Sequence, residues 1–120
     1  MDKRVRAALS FLERHYAEAP DYHTLAEQLG VGLGRLEHLF KRDTGTSMRE
    51  HVRQCRVAAA AEMLATTRRR VSEIGCAVGF HDSANFCHAF KETYGVGPRE
   101  YRIERRIEQL LPSRARTDQV

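Results

Sequence analysis

Apolar side chains recur along this chain at steps of three and four residues, the spacing that builds one buried face on a helix. From Lys3 to Tyr16 the stripe is Val5, Leu9, Leu12 and Tyr16. Pro20 and Asp21 introduce a second helix, with Asp21 as its N-cap, Tyr22, Leu25, Ala26 and Leu29 facing inward, and Gly30 as its stop. A third helix is expected from about Leu33 to Arg42, burying Leu36, Leu39 and Phe40, with Gly45 closing the turn behind it. Ser47 then caps a long fourth helix to about Ala65, whose alanine-rich centre has strong helix propensity and lets neighbours approach closely. Val71 to Val78 forms a short helix closed by Gly79. Asp82 caps Ser83 to Tyr94, and Pro98 opens a last helix reaching about Leu111. No stretch alternates with the two-residue period of a strand.

The second half of this pattern repeats the first. Phe40-Lys41, Gly45 and Arg49-Glu50 return as Phe90-Lys91, Gly95 and Arg99-Glu100, and Leu36 returns as Phe86. Leu25-Ala26 and Gly30 return as Ile74-Gly75 and Gly79, one register step apart from the rest. Each copy is a helix, a tight glycine turn and a second helix. The expected fold is therefore all-α, with about seven helices in two helix-turn-helix subdomains joined by a long central helix. The boundaries fall at residues 1–46 for the first subdomain, 47–65 for the central helix and 66–111 for the second, with a frayed tail over 112–120.

Composition narrows what such a chain does. With 120 residues, 42% hydrophobic and 30% charged, it suits a globular protein rather than a disordered one. No apolar run approaches membrane-spanning length and the start lacks a signal-peptide core, so the expected location is cytoplasmic, without membrane association. Three cysteines, Cys55, Cys76 and Cys87, make an odd count with no close pair, which predicts reduced thiols buried in helices. The net charge of +4 permits a polyanionic partner, and its excess sits in arginine clusters at Arg68–Arg70 and at Arg99, Arg102, Arg105 and Arg106. Histidine and cysteine spacings fit no structural zinc site, and neither a phosphate-cradling loop nor a paired acid-base motif occurs. Neither a metal, a cofactor nor an enzymatic activity is expected.

A helix-turn-helix leaves the polar face of its second helix free to enter a major groove about 12 Å wide. Two such units could read duplex segments roughly 34 Å apart, and a connector from Met48 to Ala65 spans about 26 Å. The residues that carry this reading resemble the DNA-binding domain of the AraC/XylS family of transcription regulators. Val71 to Arg102 follows the family signature through Ile74, Gly79-Phe80, Phe86, Phe90-Lys91, Gly95, Pro98 and Tyr101-Arg102. The upstream half follows it more weakly, through Leu25-Ala26, Gly30, Leu36, Phe40-Lys41, Gly45, Val52 and Arg56. Three departures stand out. Gly75 replaces a usual alanine at roughly 1 kcal/mol of helix propensity. Gly32 replaces a capping serine, and Gly34 stands where a large base-touching side chain is common.

By that resemblance Gly34, Glu37 and His38 align with base-facing positions of the first recognition helix. Glu37 can accept from a cytosine amine and His38 can donate to a purine; the plainer reading pairs Glu37 with Lys41 one turn away. In the second helix Ser83, Ala84, Asn85 and His88 form the reading set. Asn85 suits adenine and Ala84 a thymine methyl, while Phe86 and Phe90 belong to the core. Arg35, Lys41, Arg49, Arg56, Lys91, Arg99 and Arg102 are the candidate phosphate contacts, although Arg56 could equally be bonded within the domain.

The function expected from the resemblance is a sequence-specific double-stranded-DNA-binding transcription regulator, an activator by family habit, with RNA polymerase as partner. A rival is a protein-interaction module that keeps the fold but has lost tight DNA recognition. Many family members carry a sensing or dimerising domain before this part. The chain is accordingly either a stand-alone regulator, binding as a monomer to an asymmetric site, or a piece of a longer protein.

Overall fold

The computed structural model describes residues 1–112, and these contain seven helices and no strand. They are α1 (Lys3–His15), α2 (Tyr22–Gln28), α3 (Leu33–Thr44), α4 (Met48–Thr66), α5 (Val71–Ala77), α6 (Ser83–Tyr94) and α7 (Pro98–Leu110). The expected all-α architecture is present: α2–α3 and α5–α6 are the two helix-turn-helix units, and α4 joins them. The fraying expected of the tail beyond Pro112 lies outside the described residues.

Local chemistry explains the helix starts. Asp21, Ser47 and Asp82 accept the amides of Thr24, Glu50 and Asn85 at 3.1, 3.1 and 2.7 Å, each satisfying a donor that a helix N-terminus leaves open. Asp2 does the same for Arg4 at 2.7 Å, a cap the apolar pattern does not announce. The ends repeat as well. Gly45 and Gly95 take left-handed backbone, and each returns its amide to a lysine carbonyl, Lys41 or Lys91, at 2.8 Å.

Two apolar clusters lie on either side of the middle of α4. Val5, Ala8, Leu12, Leu25, Ala26, Leu36, Leu39 and Phe40 build the first, closed by Met48 and Val52 of α4. Ile74, Val78, Phe86, Ala89 and Phe90 build the second, closed by Val57, Ala60, Ala61 and Leu64 of the same helix. One helix therefore gives one face to each core. In α1 Val5, Ala8 and Leu12 are fully buried, while Leu9 and Tyr16 are only half-buried. Val5 and Leu12 thus hold the core as the stripe predicts, and the small side chain of Ala8 joins them where Leu9 was expected.

Two expectations about thiols are corrected. Cys55 is half-buried, but Cys76 and Cys87 are exposed, because each follows directly after an inward-facing residue, Gly75 or Phe86. The α7 helix buries only Pro98 completely and leaves Ile103, Ile107 and Leu110 exposed.

Gly75 answers a packing constraint. A Cβ there would lie 2.7 Å from Cδ2 of Phe86, where no side chain fits unless the ring moves. That ring is buried and held between Phe80 and Phe90, at centroid separations of 5.3 and 6.0 Å. The helix penalty of glycine is thus offset by a closer α5–α6 contact. Replacing Gly75 by alanine gains about 1 kcal/mol of propensity and meets an overpacking cost of about 1–3 kcal/mol. The overpacking wins because the ring is enclosed, and the thermal midpoint of Gly75→Ala should fall by roughly 5 °C. A variant melting at or above the parent would show that Phe86 yields freely.

Candidate nucleic-acid interface

The exposed faces of α3 and α6 carry the residues singled out as readers. Gly34, Glu37 and His38 on α3 and Ser83, Ala84, Asn85 and His88 on α6 are all exposed. Nothing lies within 4 Å of a Cβ built at Gly34, so this part of α3 is bare. Asn85 is pre-oriented: its Nδ2 donates to Asp82 Oδ2 at 3.2 Å, which leaves the rest of the carboxamide facing outward.

Basic residues flank both reading helices in matching places. Beside α3, a cavity of about 160 Å³ brings Glu37, Lys41, Ser47 and Arg49 together. Beside α6, a groove of about 580 Å³ brings His88, Lys91, Pro98 and Arg99 together. Lys41 and Arg49 in one half thus occupy the places of Lys91 and Arg99 in the other, and all four are exposed, as is Arg35. Among the described residues no ion pair joins Glu37 to Lys41, so that carboxylate stands open at the α3 surface. The Arg49 guanidinium lies 5.8 Å from the Tyr22 ring centroid, which holds its stem against α2.

Arg56 and Arg102 are placed differently. Arg56 Nε donates to the Tyr16 carbonyl at 2.7 Å and Nη2 to the Glu18 carbonyl at 3.0 Å, while the guanidinium lies 5.9 Å from the Phe80 ring centroid. It therefore reaches from α4 to the segment between α1 and α2 in the first half and to the turn of the second. Gly79 makes room for it. With φ at +112°, a Cβ there would come within 2.7 Å of Arg56 Nε and 3.0 Å of the Ala17 carbonyl oxygen. Arg102 Nε and Nη2 donate to the carbonyls of Leu64 and Thr67 at 3.2 and 3.4 Å, closing the C-terminal end of α4. Burial pushes the Arg102 guanidinium below its ordinary pKa, with nearby Arg106 adding to the effect.

Between the two halves runs a cleft of about 470 Å³, with Tyr22, Arg49, Arg53 and Arg56 on one side and His81, Asn85 and His88 on the other. Among the described residues no carboxylate lines it. Arg53 and Glu92 are the residues that the sequence reading missed. Arg53 Nη2 lies 2.8 Å from Glu92 Oε2, linking α4 to α6, and Glu92 Oε1 lies 3.0 Å from His88 Nε2. Arg53 lies far from Glu92 in the chain, so no local spacing rule could pair them; only His88 and Glu92, one helical turn apart, were legible as neighbours. Among the described residues no cluster of three or more metal-ligating side chains forms, and no helix is long and apolar enough to cross a membrane.

The family description "Helix-turn-helix domain" matches residues 25–104, which take in both units. The chain belongs to the AraC/XylS family of helix-turn-helix transcription regulators. It is 34% identical over 103 residues to the arabinose operon regulatory protein of Escherichia coli K12, covering 85% of this chain and 35% of that protein. It is 30% identical over 102 residues to the HTH-type transcriptional activator RhaS of Mannheimia succiniciproducens, covering 85% of this chain and 38% of the other. The chain therefore spans little more than a third of the length of these curated relatives. Among solved structures it resembles the C-terminal domain of AraT, a response regulator from Geobacillus stearothermophilus. The TM-score there is 0.79 at 30% identity, with 86% of each chain covered.

For this AraC-family chain, Arg56 makes a direct test of how the halves are held. Arg56→Ala leaves two carbonyls without their donor and should cost about 1–3 kcal/mol in denaturant unfolding. Arg56→Lys keeps the charge but not the two-pronged fork, and should recover less than half of that loss. Full recovery by lysine would mean that the charge alone matters.

Proposed function

We propose that this chain is a sequence-specific double-stranded-DNA-binding transcription regulator that reads two adjacent major-groove segments with α3 and α6. What carries this reading is the matched placement of exposed Lys41 and Arg49 beside α3 and of Lys91 and Arg99 beside α6. Phosphate contacts position a protein without reading sequence, and two equivalent sets would seat two recognition helices in the same manner. Arg35 is a fifth phosphate candidate. Arg56 and Arg102, whose guanidinium donors are directed at backbone carbonyls, we assign to the fold instead.

Base reading follows from the side-chain chemistry. Asn85 offers adenine its paired hydrogen bonds, Ala84 meets a thymine methyl, and Ser83 and His88 contribute single polar contacts. On α3, Glu37 accepts from a cytosine amine and His38 donates to a purine, while Gly34 contributes no side chain. The likeness to a transcriptional activator supports an activating role, with RNA polymerase as the protein partner. The reading sets of the two helices differ, which favours one copy bound to an asymmetric site.

Selection of binders from a randomised duplex library tests the reading. An asymmetric motif spanning about two turns is expected, with the logarithm of affinity falling by roughly 4–5 per decade of salt for five phosphate contacts. Absence of any motif, with affinity no greater than that of other mildly basic proteins, would overturn the proposal in favour of a protein-interaction module. Within a positive result, α6 is the tighter reader: Asn85→Ala should cost about 1–3 kcal/mol of discrimination at its base pair, and Glu37→Ala less. Equal losses would remove the distinction between the halves.

A further inference from the structure

The cleft between the halves poses an electrostatic problem for a selective reader. Arg49, Arg53 and Arg56 line it together with His81 and His88, and among the described residues no carboxylate is part of the lining. Such a surface attracts any phosphate backbone, whatever its sequence. Glu92 stands beside it on α6, one turn beyond His88, and takes one partner on each oxygen: the Arg53 guanidinium at 2.8 Å and the His88 imidazole at 3.0 Å. Arg53 has a second carboxylate, Glu50, only at 3.5 Å. Glu92 is the closer partner.

Resting on the DNA-binding reading above, we propose that Glu92 is a specificity-determining residue of the interface, holding Arg53 and His88 against indiscriminate phosphate contact and positioning His88 to read. The geometry supplies both halves of this role. With Nε2 of His88 turned to Glu92, Nδ1 is the ring atom left to meet a base edge. With Nη2 of Arg53 paired across to α6, a phosphate entering the cleft must displace the carboxylate before it gains that arginine. All three groups remain solvent-accessible, at 31% for Arg53, 51% for Glu92 and 72% for His88. The tie is thus exchangeable rather than a buried lock, as exposed ion pairs are weak. A duplex seated by α6 in its correct register can complete the exchange; a loosely held one meets an Arg53 already paired and a repelling carboxylate.

The role predicts an unusual signature. Glu92→Gln keeps the size of the side chain and removes its charge. It should raise affinity for an unselected random duplex by about three- to tenfold, steepen the salt dependence by about one unit, and reduce preference at the base pairs read by α6. Glu92→Asp keeps the charge on a shorter stem that cannot span both partners. It should retain the low random-duplex affinity and still lose preference at the same base pairs. A purely structural residue behaves otherwise: both variants would weaken binding to selected and random duplexes alike, with a lower melting temperature and an unchanged ratio of affinities. That result would overturn the inference. So would an aspartate variant with undiminished preference, or a glutamine variant whose random-duplex affinity does not rise. Failure of the parent chain to bind any duplex would instead overturn the DNA-binding reading, and this inference with it.

Discussion

The relation between the two helix-turn-helix units depends on where the Arg56 guanidinium goes. A shared helix fixes how far apart two units stand, but their relative rotation depends on contacts on more than one side. Arg56 supplies them, grasping the carbonyls of Tyr16 and Glu18 while lying against Phe80. Those carbonyls belong to the chain just after α1, and Phe80 belongs to the turn between α5 and α6. Tyr16 itself packs against both apolar clusters. A side chain at Gly79 would obstruct this bridge, and the positive φ and missing Cβ there leave the channel open.

This bridge explains why the duplicated sequence does not give two interchangeable halves. Gly45 and Gly95 close α3 and α6 in near-identical geometry. Yet only the second turn has a neighbour pressed into it: nothing lies within 4 Å of a Cβ at Gly30, whereas the Gly79 position meets Arg56. The second unit also packs more tightly, since Phe86 replaces Leu36 and reaches the backbone at Gly75. A larger core side chain and a glycine on the facing helix are complementary halves of one substitution.

Much of this was legible in the sequence because it depends on short-range chemistry. Helix periodicity, the caps at Asp21, Ser47 and Asp82, and the glycine stops all act within one turn, and helix ends fell within two residues of expectation. The exposed reading faces followed from the same periodicity. What the pattern could not give were contacts between elements distant in the chain. Arg56 read equally well as a phosphate ligand or a brace, because both use the same donors; only the nearness of the Tyr16 and Glu18 carbonyls separates them. Arg53 and Glu92 went unnoticed for the same reason. Cys76 and Cys87 were misplaced by composition, which knows that thiols are usually buried but not which side of a helix each one occupies.

What duplication preserved, and what it let vary, bears on the kind of site these helices suit. The preserved positions are the glycines that close the helices, the inward aromatics or leucines, and the basic pair beside α3 and α6. The varied positions are the outward ones: Gly34, Glu37 and His38 against Ala84, Cys87 and His88. Apart from the shared histidine, the two faces offer a groove different donors, acceptors and shapes. Seating is thus a common property of both halves, and reading is particular to each. If α3 and α6 read DNA as proposed, a chain braced by Arg56 and presenting two unlike faces suits a duplex whose two adjacent segments are also unlike. On the proposed reading, the asymmetry that such a site requires is already within one chain.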